Sequence, residues 1–174
     1  GSLGHIGYAL AGVATGTTSG YASSIVYISV YVVMNIGAFG CIFLMKKDGK
    51  YTEEIKDLSG VSTKHPLLSI SFLIILFSLA GIPPLGGFFA KFYVFLSVVE
   101  NEMYALAIIG LLSTVISAFY YLKIIKIIYF DKIEKQLDPI KDKRITGTIF
   151  ISCIFLLTFF LYPSLINNLV NSIF

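Results

Sequence analysis

Charge is scarce in this sequence. Of its 174 residues only 13% are Asp, Glu, Lys or Arg, against 56% hydrophobic, and the mean hydropathy is +0.85. A soluble domain is nearer a quarter charged and cannot hide this much apolar surface, so a soluble globular fold is excluded. Alternation of apolar and polar residues is also missing. That excludes a closed β-barrel, whose strands alternate over about ten residues; runs such as "LLSISFLIILFSLAGI" are continuous. Two cysteines, Cys41 and Cys153, stand alone inside apolar segments. With no CxxC and no Cys/His cluster, neither a metal centre nor a disulfide framework is expected, and both read as small core residues. There is no GxGxxG, P-loop, HExxH or Ser/His/Asp set, so no nucleotide, flavin, haem or iron–sulfur cofactor is expected in this chain. The opening "GSLGHIGYAL" has neither an initiator Met nor a basic n-region. It is not a signal peptide, and it reads as the middle of a larger protein or one piece of a split one.

What the chain does have is length in its apolar runs. Segments 21–45, 67–99, 103–130 and 145–162 each reach the length of about 20 residues that crosses a bilayer. A shorter apolar segment, 3–15, precedes them. The expected fold class is an all-α integral membrane protein, a bundle of about five transmembrane helices forming one domain over 1–174.

The loops divide by charge. Segment 46–65 carries five Lys and four acids, and segment 131–144 five Lys/Arg and four acids, with Lys123 and Lys126 on its helical approach. Connections 16–20 and 100–103 contain no Lys or Arg, and Lys91 alone lies within a span away from these loops. Lys and Arg counts set orientation. Loops 46–65 and 131–144 are therefore expected on the cytoplasmic side and the C-terminus opposite. The net charge of +3 reflects this bias and gives no sign of nucleic acid. Pro66 is placed to open a helix and Pro139 to stop one, while Pro163 is expected to break or bend the last. Tyr104, Tyr129 and Tyr162 read as interface residues. Tyr31, Tyr93, Tyr120 and Tyr121 lie deeper and call for polar partners.

Segment 67–99 is too long for one plain span. As an unbroken helix its 33 residues would measure about 50 Å, against a hydrocarbon core of about 30 Å. The stretch "GIPPLGG" at 81–87 divides it into a half-helix 67–80, an unwound connection and a second half-helix from about 88. Pro83 and Pro84 remove two backbone donors, and the glycines tolerate non-helical angles. Carbonyls freed at membrane depth must face protein or water, and broken helices of this kind line ion sites in transporters.

Lys91 is expected in the first turn or so of the second half-helix, facing that helix's positive end. A central lysine costs about 2.5–3.5 kcal/mol to insert, which argues against idle placement. Its amine can accept and donate protons, so Lys91 is the first site candidate; the bland alternative is a lysine snorkelling to an interface. His5, in "GHIGYALAG", is the second, because imidazole titrates near neutral pH; alone, it reads more readily as a packed, hydrogen-bonded residue. Lys123 and Lys126 fit snorkelling better than chemistry. Ser113, Thr114 and Ser117 suit either a water path or interhelical hydrogen bonds. Every acid falls in a loop or at a helix end, so a carboxylate partner for Lys91 would come from other sequence.

The stretches "GHIGYAL", "YVVMNIGAFG", "EEIKDLSGVSTKHPLL", "FSLAGIPPLGGFFAKFYVF" and "SAFYYLKIIKIIYFD" resemble the C-terminal portion of the subunit N family of NADH-quinone oxidoreductase, respiratory complex I. The resemblance runs over almost the whole chain. It implies the tenth through fourteenth helices of an antiporter-like, inverted-repeat fold in a bacterial inner membrane. It also implies proton translocation by a buried Lys/His axis coupled to NADH oxidation and quinone reduction in other subunits, which makes the chain part of an enzyme without a redox site of its own. Lys91 matches the lysine after the break of the second repeat, and His5 the histidine of an "SHxGY"-like motif. The partners implied are the other membrane-arm subunits, the lipid bilayer and protons. Related antiporter-like subunits carry His or Lys where this chain has Tyr31 and Asn35, a departure that favours subunit N over its siblings. Other readings are an Mrp-type sodium/proton antiporter subunit and a non-transporting scaffold or truncated fragment.

Overall fold

The computed structural model describes residues 2–52, 54–134, 136–162, 164, 168 and 172. Helix α1 (Ser2–Ala14) is joined to α2 (Thr18–Leu44) by a tight turn. The Thr17 side chain starts α2 by accepting the Gly20 N–H at 3.1 Å, which satisfies one of the amides a helix leaves open at its start. Small residues let α1 and α2 pack backbone to backbone. The Ser24 hydroxyl donates to the Ala9 carbonyl at 2.7 Å, and a Cβ at Gly12 would come within 2.8 Å of the Gly20 carbonyl. Such small-residue contacts are a common way for membrane helices to associate.

A short antiparallel hairpin, β1 (Lys46–Lys47) with β2 (Lys50–Tyr51), and two 3-10 turns, Ile55–Leu58 and Val61–Thr63, lead to α3 (Pro66–Ala80). Pro66 occupies the start of α3, where its missing N–H has no partner to lose. Then follow α4 (Gly86–Glu100), α5 (Tyr104–Phe130) and α6 (Lys143–Thr158), the last running into a 3-10 turn at Phe159–Leu161. The Asp142 carboxylate starts α6 by accepting the N–H groups of Arg144 at 2.9 Å and Ile145 at 3.1 Å. Pro139 lies between α5 and α6 in non-helical chain. Pro163, expected to bend the last helix, lies outside the described residues.

Helix α2 packs against α1, α3, α4 and α6. Its Tyr27, Val30, Met34 and Cys41 join Ile75, Val94 and Leu156 in a core that water does not reach. Helix α5 is covered far less, and Leu111, Leu112, Val115, Ile116 and Phe119 leave an apolar face exposed. The two charged loops meet at one end of the bundle. The Asp138 carboxylate accepts the N–H groups of Asp48 at 3.1 Å and Gly49 at 2.8 Å, and the Asp138 N–H reaches the Lys46 carbonyl at 2.7 Å.

Three helical stretches, Thr18–Leu44, Tyr104–Phe130 and Lys143–Leu161, are each long and apolar enough to cross a membrane. Helix α1 has 13 residues and α3 and α4 have 15 each, short of the roughly 20 that a crossing takes. The 3-10 turns ahead of α3 meet it at 119°, and taken together the two are apolar and long enough for a fourth, bent span or a re-entrant loop.

The connection between α3 and α4 is shorter than its composition implies. Helix α4 begins at Gly86, not near 88, and the non-helical stretch is Gly81–Leu85. Gly86 and Gly87 are helical residues: the smallness of Gly87 lets α4 cross close to α3, and Gly86 sits against Leu156 and Phe159. A Cβ on Gly87 would overlap the Ser78 carbonyl oxygen.

Candidate functional site

Helix α3 ends at Gly81, which takes up a left-handed conformation (φ 82°) that only glycine adopts without strain. The last four carbonyls of an α-helix lack intrahelical partners. Here all four are met. The Ile82 N–H donates to the Phe77 carbonyl and the Gly81 N–H to that of Ser78, both at 3.0 Å. The Lys91 ammonium donates to the Leu79 carbonyl at 3.0 Å and the Ala80 carbonyl at 3.4 Å. Thus the last two carbonyls of α3 are satisfied by a side chain from the next helix.

This corrects the expected surroundings of Lys91. The lysine lies two residues deeper into α4 than the sequence implies, as its sixth residue. Its side chain reaches the negative, carbonyl-bearing end of α3 and not the positive end of α4. The reason is geometric. Helical side chains lean toward their own N-terminus, and the turn at Gly81 places the end of α3 there. Lys91 is 4% exposed and so lies within the bundle. Its Nζ also stands 5.3 Å from the centre of the Tyr8 ring, within the range of a cation–π contact. Among the described residues no carboxylate approaches it.

The crossing of α3 and α4 is held by Ser78. Its hydroxyl accepts the Gly87 N–H at 2.9 Å and donates to the Met34 sulfur at 3.2 Å, fixing both half-helices to α2.

His5 is equally buried, at 4% exposure, in the angle between α1, α2 and α5. Its Nδ1 shares a hydrogen bond of 2.6 Å with the Tyr27 hydroxyl, and its Nε2 one of 3.0 Å with that of Tyr121. The Tyr31 ring stacks on the imidazole, centroids 4.6 Å apart and planes 20° from parallel. Of the tyrosines expected to need polar partners, Tyr121 has one in His5. Tyr31 contributes its ring face, and Tyr120 is 61% exposed, pointing away from the bundle. Asn35 donates to the Tyr31 carbonyl one turn back at 2.9 Å and, with Tyr31, lines an open groove between α2 and α6.

Tyr8 links the two halves of the site. Its hydroxyl donates to the Gly110 carbonyl at 2.6 Å and shares a hydrogen bond with Thr114 on α5. Its ring packs on that of Tyr27, centroids 5.5 Å apart. The series Lys91, Tyr8, Tyr27, His5, Tyr121 is thus continuous in contact. No hydrogen bond joins Lys91 to His5 among the described residues. A cavity of about 170 Å³ lies beside Tyr8 between α1, α4 and α5, with Ser113 on its wall. Thr114 serves Tyr8, and Ser117 faces α1 near Gly4. Lys123 and Lys126 lie exposed on α5, away from the core.

Tyr8 and Tyr27 had no assigned role in the sequence. A signal for Tyr8 was present: it stands three residues after His5, on the same face of α1. Tyr27 and Tyr31 likewise share a face of α2, four residues apart, and both meet His5. Nothing local to Tyr121 points to His5, 116 positions away.

Residues 1–117 match the family described as NADH:quinone oxidoreductase/Mrp antiporter, TM. The chain belongs to this family. Curated relatives place it near one branch of the antiporter family. It is 55% identical over 172 residues to NADH-quinone oxidoreductase subunit N of Pelagibacter ubique (99% of this chain, 36% of the relative). It is 44% identical over 165 residues to subunit N of Rhodospirillum rubrum (95% and 34%). The chain therefore spans about a third of the length of the curated relatives it matches. Two solved structures share the fold. Respiratory complex I from Thermus thermophilus with bound NADH superposes with TM-score 0.79 at 23% identity, over 97% of this chain and 36% of that one. The Mrp complex from Dietzia sp. DQ12-45-1b gives 0.80 at 20%, over 95% and 39%.

Proposed function

We propose that this chain is the C-terminal portion of a subunit N and moves protons across a bacterial inner membrane as part of NADH-quinone oxidoreductase. Lys91 and His5 carry the proton, and the NADH and quinone chemistry with its cofactors belongs to other subunits. Family membership and the identity to curated subunit N proteins support the assignment. The observation that carries the mechanism is Lys91 itself: a buried amine with no carboxylate partner among the described residues, held by two carbonyls at the end of α3.

That arrangement suits transfer. Backbone carbonyls bind the ammonium through hydrogen bonds without cancelling its charge, as a carboxylate would. The amine can therefore release a proton without breaking an ion pair. His5, held at both ring nitrogens by tyrosine hydroxyls, has a donor or acceptor on either side whichever nitrogen is protonated.

In this reading α3 and α4 together make one discontinuous span, and with α1, α2, α5 and α6 they form one membrane domain within an inverted-repeat fold. The membrane-arm subunits of the complex are its partners. The loops 46–65 and 131–144 face the cytoplasm and the C-terminus the opposite side. The excess of Lys and Arg in both loops, which meet at one end of the bundle, supports this orientation.

The test is proton pumping by reconstituted, fully assembled complex carrying Lys91→Ala. Loss of a proton carrier of this type is expected to slow transfer on the order of 100-fold. Pumping at the unmodified level would remove Lys91 from the mechanism. A driven sodium gradient in place of a proton gradient would favour a sodium/proton antiporter instead.

A further inference from the structure

We propose that Tyr8 is the positioning residue of this site: it holds the Lys91 ammonium on the last carbonyls of α3 and ties that arrangement to α5. The inference rests on the proton-translocating reading and adds a residue to it.

The ring of Tyr8 is clamped on several sides. Its hydroxyl is fixed to Gly110 and Thr114 of α5. Phe95 of α4 meets it edge to face at 5.7 Å, and Tyr27 of α2 packs at 5.5 Å. Only 6% of Tyr8 is exposed. What these contacts leave available to Lys91 is the ring's face, which attracts a cation through its quadrupole. A lysine stem is flexible and its ammonium has three donors. Two of these reach Leu79 and Ala80, and the ring face supplies the remaining contact. Tyr8 therefore selects the lysine rotamer that caps α3. It also links Lys91 to His5 through Tyr27, so the ring that holds the lysine belongs to a continuous contact path between the two. The other titratable groups around the pair are His5 of α1, Tyr27 and Tyr31 of α2, Tyr93 of α4 and Tyr121 of α5. Helix α3 carries none, and Cys153 of α6 is turned toward the Ser71 carbonyl.

The experiment uses the full-length subunit in assembled complex. Position 8 is replaced by Phe and then by phenylalanines of increasing fluorination, which keep the ring's shape while draining its face of negative potential; Tyr8→Leu removes the ring. The readout is the pH profile of the rate of proton transfer by the complex oxidising NADH. Tyr8→Phe is expected to slow transfer about threefold through loss of the hydroxyl anchor and to keep the profile's position. Fluorination is expected to move the alkaline limb stepwise toward acid, by about half a unit to one unit across the series. Tyr8→Leu is expected to shift as far as the most fluorinated ring. Should Tyr8→Leu fail to assemble, the fluorinated series decides, because it conserves shape. A profile that stays in place across that series overturns the proposal. If Lys91→Ala abolishes pumping while the series is flat, Tyr8 alone is removed. If Lys91→Ala pumps normally, the relay reading fails first.

Discussion

Lys91 and His5 are buried to the same extent, yet they are held by different kinds of group. The lysine is gripped by backbone: two carbonyls of α3, delivered by a glycine turn and a glycine crossing. The histidine is gripped by side chains: the hydroxyls of Tyr27 and Tyr121 and the ring of Tyr31. The backbone part of that grip cannot be trimmed one group at a time; it is disturbed by altering the fold that presents it, whereas the Tyr8 ring beside it is open to substitution. A side-chain site can be dismantled hydroxyl by hydroxyl. The two halves should therefore respond to substitution on different scales.

The largest structural effect is expected at Gly87. In Gly87→Ala the new methyl meets the Ser78 carbonyl, and forcing α3 and α4 apart should cost about 3 kcal/mol, the upper part of the overpacking range. Thermal unfolding of the purified complex, or its yield on a native gel, reads this directly. A Gly87→Ala complex as stable as the parent would mean that the close crossing does not hold the break. Next comes Gly81→Ala. The left-handed turn should cost about 1–2 kcal/mol, and the added Cβ lies 3.1 Å from Lys91 Cδ and 3.3 Å from its Nζ. Stability and pumping should fall together; lost stability with undiminished pumping would separate the turn from the lysine.

Smaller effects are expected around His5. Tyr27→Phe removes the 2.6 Å bond to Nδ1 at a fully buried position, a loss of about 1 kcal/mol, or about fivefold in transfer rate if the bond is part of the path. Tyr121→Phe removes the longer 3.0 Å bond at a half-buried position, where water can substitute, and should cost about half as much. Proton transfer measured on the two single variants and the double variant tests the order. A Tyr121→Phe effect larger than that of Tyr27→Phe would reverse the ranking of the two bonds.

Much of this architecture is written in local sequence, and what is not follows from contacts over distance. The helix-breaking residues at 81–85 and the excess length of 67–99 point to an interruption without any knowledge of packing. Gly86 and Gly87 look like further breakers but serve close packing, a distinction that depends on Ser78 lying opposite Gly87 and on Leu156 and Phe159 lying opposite Gly86. The count of apolar segments does not settle the number of spans, because α1, α3 and α4 are each too short to qualify alone. For Lys91 the sequence yields the isolation of the charge but misplaces its surroundings, since the end of α3 is brought back to it only by the turn at Gly81. His5 is visible as a lone histidine in an apolar helix. Its tyrosine partners come from α2 and α5, 22 and 116 positions away, and only the His5–Tyr8 spacing on α1 hints at the cluster.

The central claim is that the charge on Lys91, and not the packing of its stem, serves proton transfer. Lys91→Met keeps a flexible apolar stem of similar length in the same pocket and removes the ammonium. The decisive quantity is the number of protons translocated per NADH oxidised by assembled complex in sealed vesicles. The account predicts a lower ratio for Lys91→Met than for the unmodified complex while the complex still assembles. An unchanged ratio would contradict it.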